Sequence, residues 1–337
     1  MEGPKTYDVL IVGAAAAGLA AGIYAARDRY QTAILEKNPL PGGQIMLTGE
    51  IANFPGHERI TGPDLIQHMR RQAEGFGAEI VTGQVVTGLR RHDDGVLEVH
   101  VAPTGSSYRA RAVILAPGSR HRQLGVPGEK ELREAGRVSY CAVCDGPFYH
   151  DADVLVVGGG NTAVEDAVYL ATRFARRLTL IHRRRQFRAQ RILVEELYET
   201  AKTKSLDIRL PYVLKEIVSD DAGAAIDHVV LENVETGETE SLVVRGVFVL
   251  VGTVPNTEFL RGTVDTNERG YVLCDPQTLQ TSVPGVFVAG DCRAGAAMQL
   301  VTACADGVVA ALRVKDYLRN PQAWAEMRPE RAPAQGY

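Results

Sequence analysis

Apolar residues in this chain come mostly as short unbroken runs that end in small residues. The first is "VLIV", Val9 to Val12, which passes into the alanine- and glycine-rich "GAAAAGLAAGIYAA" and is followed, after a polar break, by "TAILE" ending at Glu36. A brief apolar run stopped by glycine predicts a strand buried on both faces, and the small-residue continuation predicts a buried helix. Taken whole, Val9 to Ala26 is long enough to cross a membrane. However, Asp8 precedes it in place of a basic cluster, and Gly13 and Gly18 interrupt it, so the strand-to-helix reading is preferred.

The pattern repeats at "DADVLVVGGGNTAVEDAVYLATRFARRLTLIHRRRQFRAQ". Each segment has the spacing of a βαβ unit that binds a dinucleotide, with the phosphates at the start of the helix. In the first, Gly13 and Gly18 frame the turn, Ala16 opens the helix, and Glu36 is the acidic residue expected on a ribose, while Ala15 stands where the middle glycine of the fingerprint belongs. In the second, Gly158, Gly160 and Ala163 keep the fingerprint, Asn161 and Thr162 open the helix, and the next strand ends in cations. Arg183, Arg184 and Arg188 there suit a 2′-phosphate, because guanidinium groups grip phosphate with paired donors.

Two such units in one chain of 337 residues imply two nucleotide sites and two domains. The late stretch "SVPGVFVAGDCRAGAAMQLVTACADGVVAAL" reads as a strand, a Gly290-Asp291 turn and a small-residue helix, the returning half of the first domain. The expected fold is therefore α/β, with two Rossmann-like domains, the second inserted in the first. Residues 1–120 and 251–320 make the first domain, 121–250 the insert, and 321–337 a tail rich in proline and alanine that ends on Tyr337.

Charge and cysteine content narrow the chemistry. A formal net charge of −4 argues against a nucleic-acid or anionic-membrane surface, and the lack of an export signal makes the cytoplasm the expected compartment. Of five cysteines, Cys141 and Cys144 form a C-x-x-C in "CAVCDGPF". In a reducing compartment such a pair is more often catalytic or metal-binding than a structural staple. Cys274, Cys292 and Cys304 are isolated and read as small core residues, which leaves the pair without partners for a zinc site.

Together with "PGGQ" at Pro41 to Gln44, "NFPG" at Asn53 to Gly56, "GGGNTAVE", "HRRRQFRA" and "VFVAGD", the "CAVCDG" motif makes the chain resemble the low-molecular-weight thioredoxin reductases over roughly residues 6 to 318. These are FAD-dependent pyridine nucleotide-disulphide oxidoreductases. The resemblance implies a homodimer, FAD in the first domain and NADPH in the insert. FAD would be held by Gly13, Ala16, Gly18, Glu36, Gly43, Gln44, Asn53, Gly290, Asp291, Gln299 and Leu300, with Asp291 at the ribityl chain. It implies electrons passing from NADPH through FAD and the Cys141–Cys144 pair to the disulfide of thioredoxin. Cys144 would lie against the flavin, Cys141 would attack the partner, and Asp145 would manage the thiol protons. Because dithiol and nicotinamide site share one insert, that insert is expected to swing about the crossings near Arg120 and Gly252.

Departures from the family pattern are Ala15, Pro117 in place of a threonine, and Met298 in place of an arginine that meets the cofactors. Met298, the altered first fingerprint at Ala15 and the aromatic terminus suggest a rival, a flavin thioredoxin reductase of the same fold fed by ferredoxin, with Tyr337 covering the flavin. The intact arginine set speaks for NADPH.

Overall fold

The structure, a computed structural model, describes residues 5–48, 51, 53–103 and 105–325. Tyr337 and the tail beyond residue 325 lie outside the described residues, and so does the expectation that the terminal ring covers the flavin. The chain forms two compact units, one running to Arg120 and resuming at Val254, the other comprising His121–Thr253.

The sheet of the first unit is built on the strand Thr6–Val12, paired in parallel with Thr32–Leu35 on one side and Ser107–Leu115 on the other. Glu79–Val81 extends the first side in parallel. The far side of Ser107–Leu115 is shared. Its first half pairs antiparallel with Leu97–Ala102, which in turn pairs with Val85–Arg91, and its second half pairs in parallel with Val286–Val288. Burial follows sheet type. The parallel strands Thr32–Leu35 and Val286–Val288 are buried at every position, while Leu97, Val99 and Val101 are buried in alternation with less buried neighbours, as in a sheet covered on one face. The stretch that could have been a membrane span resolves into the strand Thr6–Val12 and the helix Ala16–Arg27. Among the described residues no helix is long and apolar enough to cross a membrane.

The helix Leu300–Arg319 lies directly on Ala16–Arg27. A Cβ added to Gly307 would stand 2.1 Å from the Ala17 carbonyl oxygen, so only glycine permits this approach. That contact seats the helix on the segment that follows the first glycine-rich turn.

The second unit has five parallel strands in the order Leu206–Arg209, Arg177–Ile181, Asp153–Val157, Gly246–Val249 and Val138–Ser139. A three-stranded antiparallel sheet, Tyr212–Ser219, Ile226–Asn233 and Thr239–Leu242, accompanies it. Val154, Leu155 and Val156 in the central strand are at most 1% exposed, each burial being worth about 1.5–3 kcal/mol. In both units the glycine-rich turn leaves a strand flanked on either side by later strands, the switch point at which α/β sheets bind ligands.

Candidate active site

The edge strand Val138–Ser139 runs parallel to Gly246–Val249 and therefore delivers Cys141 to the same edge of the sheet as the "GGGN" turn. There Cys141 and Cys144 are joined in a disulfide, Cα to Cα 5.3 Å, across the short helix Ala142–Asp145. The Cys144 backbone N–H donates to Cys141 Sγ at 3.2 Å, and the Asp145 N–H donates to the Cys141 carbonyl at 3.1 Å. Cys144 is exposed and Cys141 half-buried. Asp145 is half-buried too, and burial raises its pKa, an effect partly opposed by a 2.6 Å hydrogen bond from Ser139 Oγ. Ser139 Oγ also accepts from the Cys141 N–H at 3.1 Å. Just before the pair, Tyr140 donates to the buried Glu129, which in addition accepts from the Leu124 and Gly125 N–H groups. The arrangement can open and close a two-electron S–S bond beside an acid of adjustable protonation.

On that same edge, Gly158 to Gly160 lead into the helix Asn161–Arg173, whose N-cap is Gly160, with no capping side chain and no acid in its first turn. Asn161 Oδ1 accepts from the Gln190 N–H at 2.9 Å, tying the helix start to the arginine-rich loop, and Arg188 N–H donates to the Gly159 carbonyl at 2.8 Å. Thr162, Arg183, Arg184 and Arg188 are exposed. A fourth arginine of that run, Arg185, is taken up by Glu235. His182 is buried and stacked on Phe187 at 5.8 Å, and its Nε2 has no partner. Burial and the cations Arg188, Arg183 and Arg184 lower its pKa. A Cβ on Gly159 would fall 2.3 Å from His182 Nδ1, so it is this ring that requires glycine at position 159.

In the first unit, Ala15 has φ −93° and ψ −165°, extended backbone that any residue adopts, so alanine is accommodated where the fingerprint expects glycine. Gly13 is different. Its φ is +105°, and a Cβ there would meet the Ala116 carbonyl oxygen at 2.2 Å. Buried Glu36 accepts from the Ala14 N–H at 3.0 Å and from Asn38 N and Nδ2 at 2.9 and 2.8 Å, which fixes its carboxylate at the turn. Gly43 lies beside Ala15, and Gln44 Nε2 donates to the Ser119 carbonyl. Gly290 lies against Ala17, next to the same turn. The structure thus brings Gly13, Ala16, Gly18, Glu36, Gly43 and Gly290 together, while Asn53 is exposed.

Asp291 is half-buried, and its pKa is raised to about 6, first by burial and then by Asp306, with Arg293 acting in the opposite direction. Asp306 accepts from Arg293 Nε at 2.7 Å, from its Nη2 at 3.0 Å and from the Gly290 N–H at 3.1 Å. Met298 sits at φ 55°, a left-handed conformation unusual for a side-chain-bearing residue, immediately before Gln299, the N-cap of Leu300–Arg319.

These residues fit the two cofactors. The helices starting at Ala16, Asn161 and Leu300 all lack a capping side chain and an acid in the first turn, so their leading N–H groups are free to receive phosphate or another acceptor. Gly62–Phe76, by contrast, is capped by Thr61. A missing cap is not diagnostic by itself, since Arg191–Thr203 lacks one as well. What distinguishes the first two is that each follows a central parallel strand.

The sequence matches the family described as pyridine nucleotide-disulphide oxidoreductase over residues 7–307. It belongs to that family. A thioredoxin reductase of Peptoclostridium acidaminophilum is 41% identical over 321 residues, 93% of this chain and 98% of the relative. One from Bacillus subtilis is 41% identical over 323 residues, 96% and 98% of the two chains. Among solved structures, the thioredoxin reductase of Streptococcus pyogenes superposes with a TM-score of 0.85 at 39% identity, covering 94% of this chain and 99% of that one. The Giardia duodenalis thioredoxin reductase gives 0.84 at 34% identity, again covering 94% and 99%. The mixed α/β fold expected from the motifs is the fold of these enzymes.

Sequence patterns alone do not single out Ser139, Glu129, Asp306, Arg293 or His182. His182 lies inside the "HRRRQFRA" motif, but a histidine at a strand end carries no signal of its own. The others are single polar residues that form no motif, and their partners, from two to sixteen positions away, follow no fixed spacing.

Proposed function

We propose that this protein is a thioredoxin reductase that takes electrons from NADPH and delivers them, through FAD and the Cys141–Cys144 disulfide, to the disulfide of thioredoxin. The observation that carries the reading is the closed Cys141–Cys144 bond at the same sheet edge as an uncapped dinucleotide turn. FAD would be held by the Gly13–Gly18 turn, Glu36, Gly43, Gln44, Asn53, Gly290, Asp291, Gln299 and Leu300, and NADPH by Gly158, Gly160, Asn161, Thr162, Arg183, Arg184 and Arg188. When bound, these cofactors supply the electron pair that opens the disulfide.

The chain's own residues then manage thiols and protons. Cys141 Sγ already accepts the Cys144 N–H, the backbone donor that would stabilise a thiolate there, which supports Cys141 as the sulfur that attacks thioredoxin. Asp145 would hold or release the proton that accompanies exchange. As in the relatives named above, thioredoxin is the partner, and a homodimer in the cytoplasm completes the proposal.

The ferredoxin-fed alternative is not favoured. It rests on Met298, Ala15 and the terminal aromatic, whereas the exposed Arg183, Arg184 and Arg188 suit the 2′-phosphate that NADPH carries. Anaerobic mixing with NADPH, and separately with photoreduced ferredoxin, tests the assignment by flavin absorbance. Bleaching by NADPH followed by reoxidation on adding thioredoxin is expected. Bleaching by ferredoxin alone would overturn it.

A further inference from the structure

Gly290 to Arg293 close a tight turn, the Arg293 backbone N–H donating to the Gly290 carbonyl at 3.1 Å, with Asp291 and the fully buried Cys292 at its two central positions. Both ends of this turn are bound to one carboxylate. Asp306, in the second turn of the helix Leu300–Arg319, accepts the Gly290 N–H at 3.1 Å and Arg293 Nε at 2.7 Å on Oδ2, and Arg293 Nη2 at 3.0 Å on Oδ1. The ion pair is deep, with 17% of the arginine side chain and 14% of the aspartate side chain exposed.

The backbone on either side of the clamp is fixed as well. Gly290 has φ +76°, and a Cβ there would stand 3.0 Å from that of Ala17. Asp306 is followed by Gly307, which is seated on the Ala17 carbonyl. Among the described residues no hydrogen bond reaches the Asp291 carboxylate, and the charges that act on it, Asp306 and Arg293, are the clamp itself. A turn held at both ends thus carries one unengaged acceptor, the group that the proposed function puts on the ribityl chain.

An ion pair withdrawn this far from water returns little net stability, because desolvating the two charges costs about as much as their attraction gains. What it fixes is position. We infer that Arg293 and Asp306 are the positioning pair of the flavin site: by gripping both ends of the Gly290–Arg293 turn, Asp306 sets where Asp291 presents its carboxylate to the cofactor. The inference rests on reading Asp291 as a flavin contact. Without Asp306 the Gly290 N–H loses its acceptor and the Arg293 fork its partner, so Asp291 loses the fixed backbone beneath it.

The test is a double-mutant cycle on flavin retention. Full-length flavin-loaded protein is dialysed to equilibrium against a series of FAD concentrations, and bound flavin is read by absorbance. The dialysis is run at pH 8, above the Asp291 pKa of about 6, so Asp291 is ionised with or without Asp306 and the substitution does not act through protonation. Asp291→Ala should weaken FAD binding about tenfold or more, the order of effect of losing a hydrogen bond to a charged group. Asp306→Ala should weaken it about threefold to tenfold on its own, and by less than about twofold when added to Asp291→Ala, because it acts through Asp291.

Asp306→Ala leaves Arg293 buried without a partner. If that protein does not fold, Arg293→Met combined with Asp306→Leu removes both charges at once and carries the same cycle. Asp291→Ala binding FAD as tightly as wild type would overturn the reading of Asp291 as a flavin contact, and the inference with it. Weakening by Asp291→Ala beside unchanged binding in the clamp variant would overturn the inference and leave that reading standing. So would effects that multiply in full when the substitutions are combined, since Asp306 would then act on the cofactor by a route other than Asp291.

Discussion

Ser139 Oγ donates a 2.6 Å hydrogen bond to Asp145 Oδ2 while accepting the Cys141 N–H at 3.1 Å, so one hydroxyl ties the acid to the cysteine whose proton it would handle. The hydrogen bond favours the ionised carboxylate and burial favours the neutral one, with burial the larger influence. Ser139→Ala removes the opposing influence. The Asp145 pKa should rise further, and the limb of the thioredoxin-reduction rate that follows Asp145 ionisation should move to higher pH. Asp145→Asn should abolish that limb. A profile unchanged in both variants would remove Asp145 from proton management.

Replacing Cys144 by Ser should abolish thioredoxin reduction while leaving flavin reduction by NADPH intact, because the electrons then have no disulfide to enter. Cys141→Ser should do the same. It should also yield no mixed disulfide with a thioredoxin whose resolving cysteine is replaced, if Cys141 is the attacking sulfur. Stopped-flow flavin absorbance and non-reducing gels read the two results. Thioredoxin turnover surviving in Cys144→Ser would contradict the route.

Arg183 and Arg184 are exposed on the loop after Arg177–Ile181. Changing both to Ala should weaken NADPH binding by roughly 1.5–3 kcal/mol for each charge-assisted hydrogen bond removed, with little change for NADH. Isothermal titration with both nucleotides checks this. Equal weakening for the two would place the arginines somewhere other than on a 2′-phosphate.

Gly159→Ala should destabilise the protein by about 1–3 kcal/mol, the usual cost of forcing an added methyl into a packed site, because the new Cβ would stand 2.3 Å from the His182 ring. Adding His182→Ala should recover part of that stability, and urea unfolding of the two single variants and the double variant measures the coupling. Strict additivity would show that the ring is not what position 159 must avoid.

Flavin-free protein offers a test of Asp291. Its folded pKa of about 6 lies above the ordinary aspartate value, so the unfolded chain ionises first as pH rises. The group's contribution to stability is thus at its best below the unfolded pKa and is lost as pH climbs toward 6. Asp291→Asn should flatten the fall in thermal stability across that window. A fall identical to wild type would indicate that Asp291 is not held neutral in the fold.

Local features of this protein were legible in its residues. Val9 to Val12 and Val154 to Val157 become strands because apolar runs ending in glycine have few other stable uses, and the helices after them start where alanine and small polar residues follow the turn. The C-x-x-C spacing already implied a short loop that a disulfide can close. Which distant groups meet emerges only in the folded molecule. Helical periodicity tells that Ala163 and Leu170 share a face but not that this face carries Ala142. The middle glycine of "GGG" owes its identity to His182, and Gly290 is held by Asp306, sixteen positions along the chain. Such pairings arise when strands and helices pack, and packing depends on the whole core, which short windows of sequence do not contain.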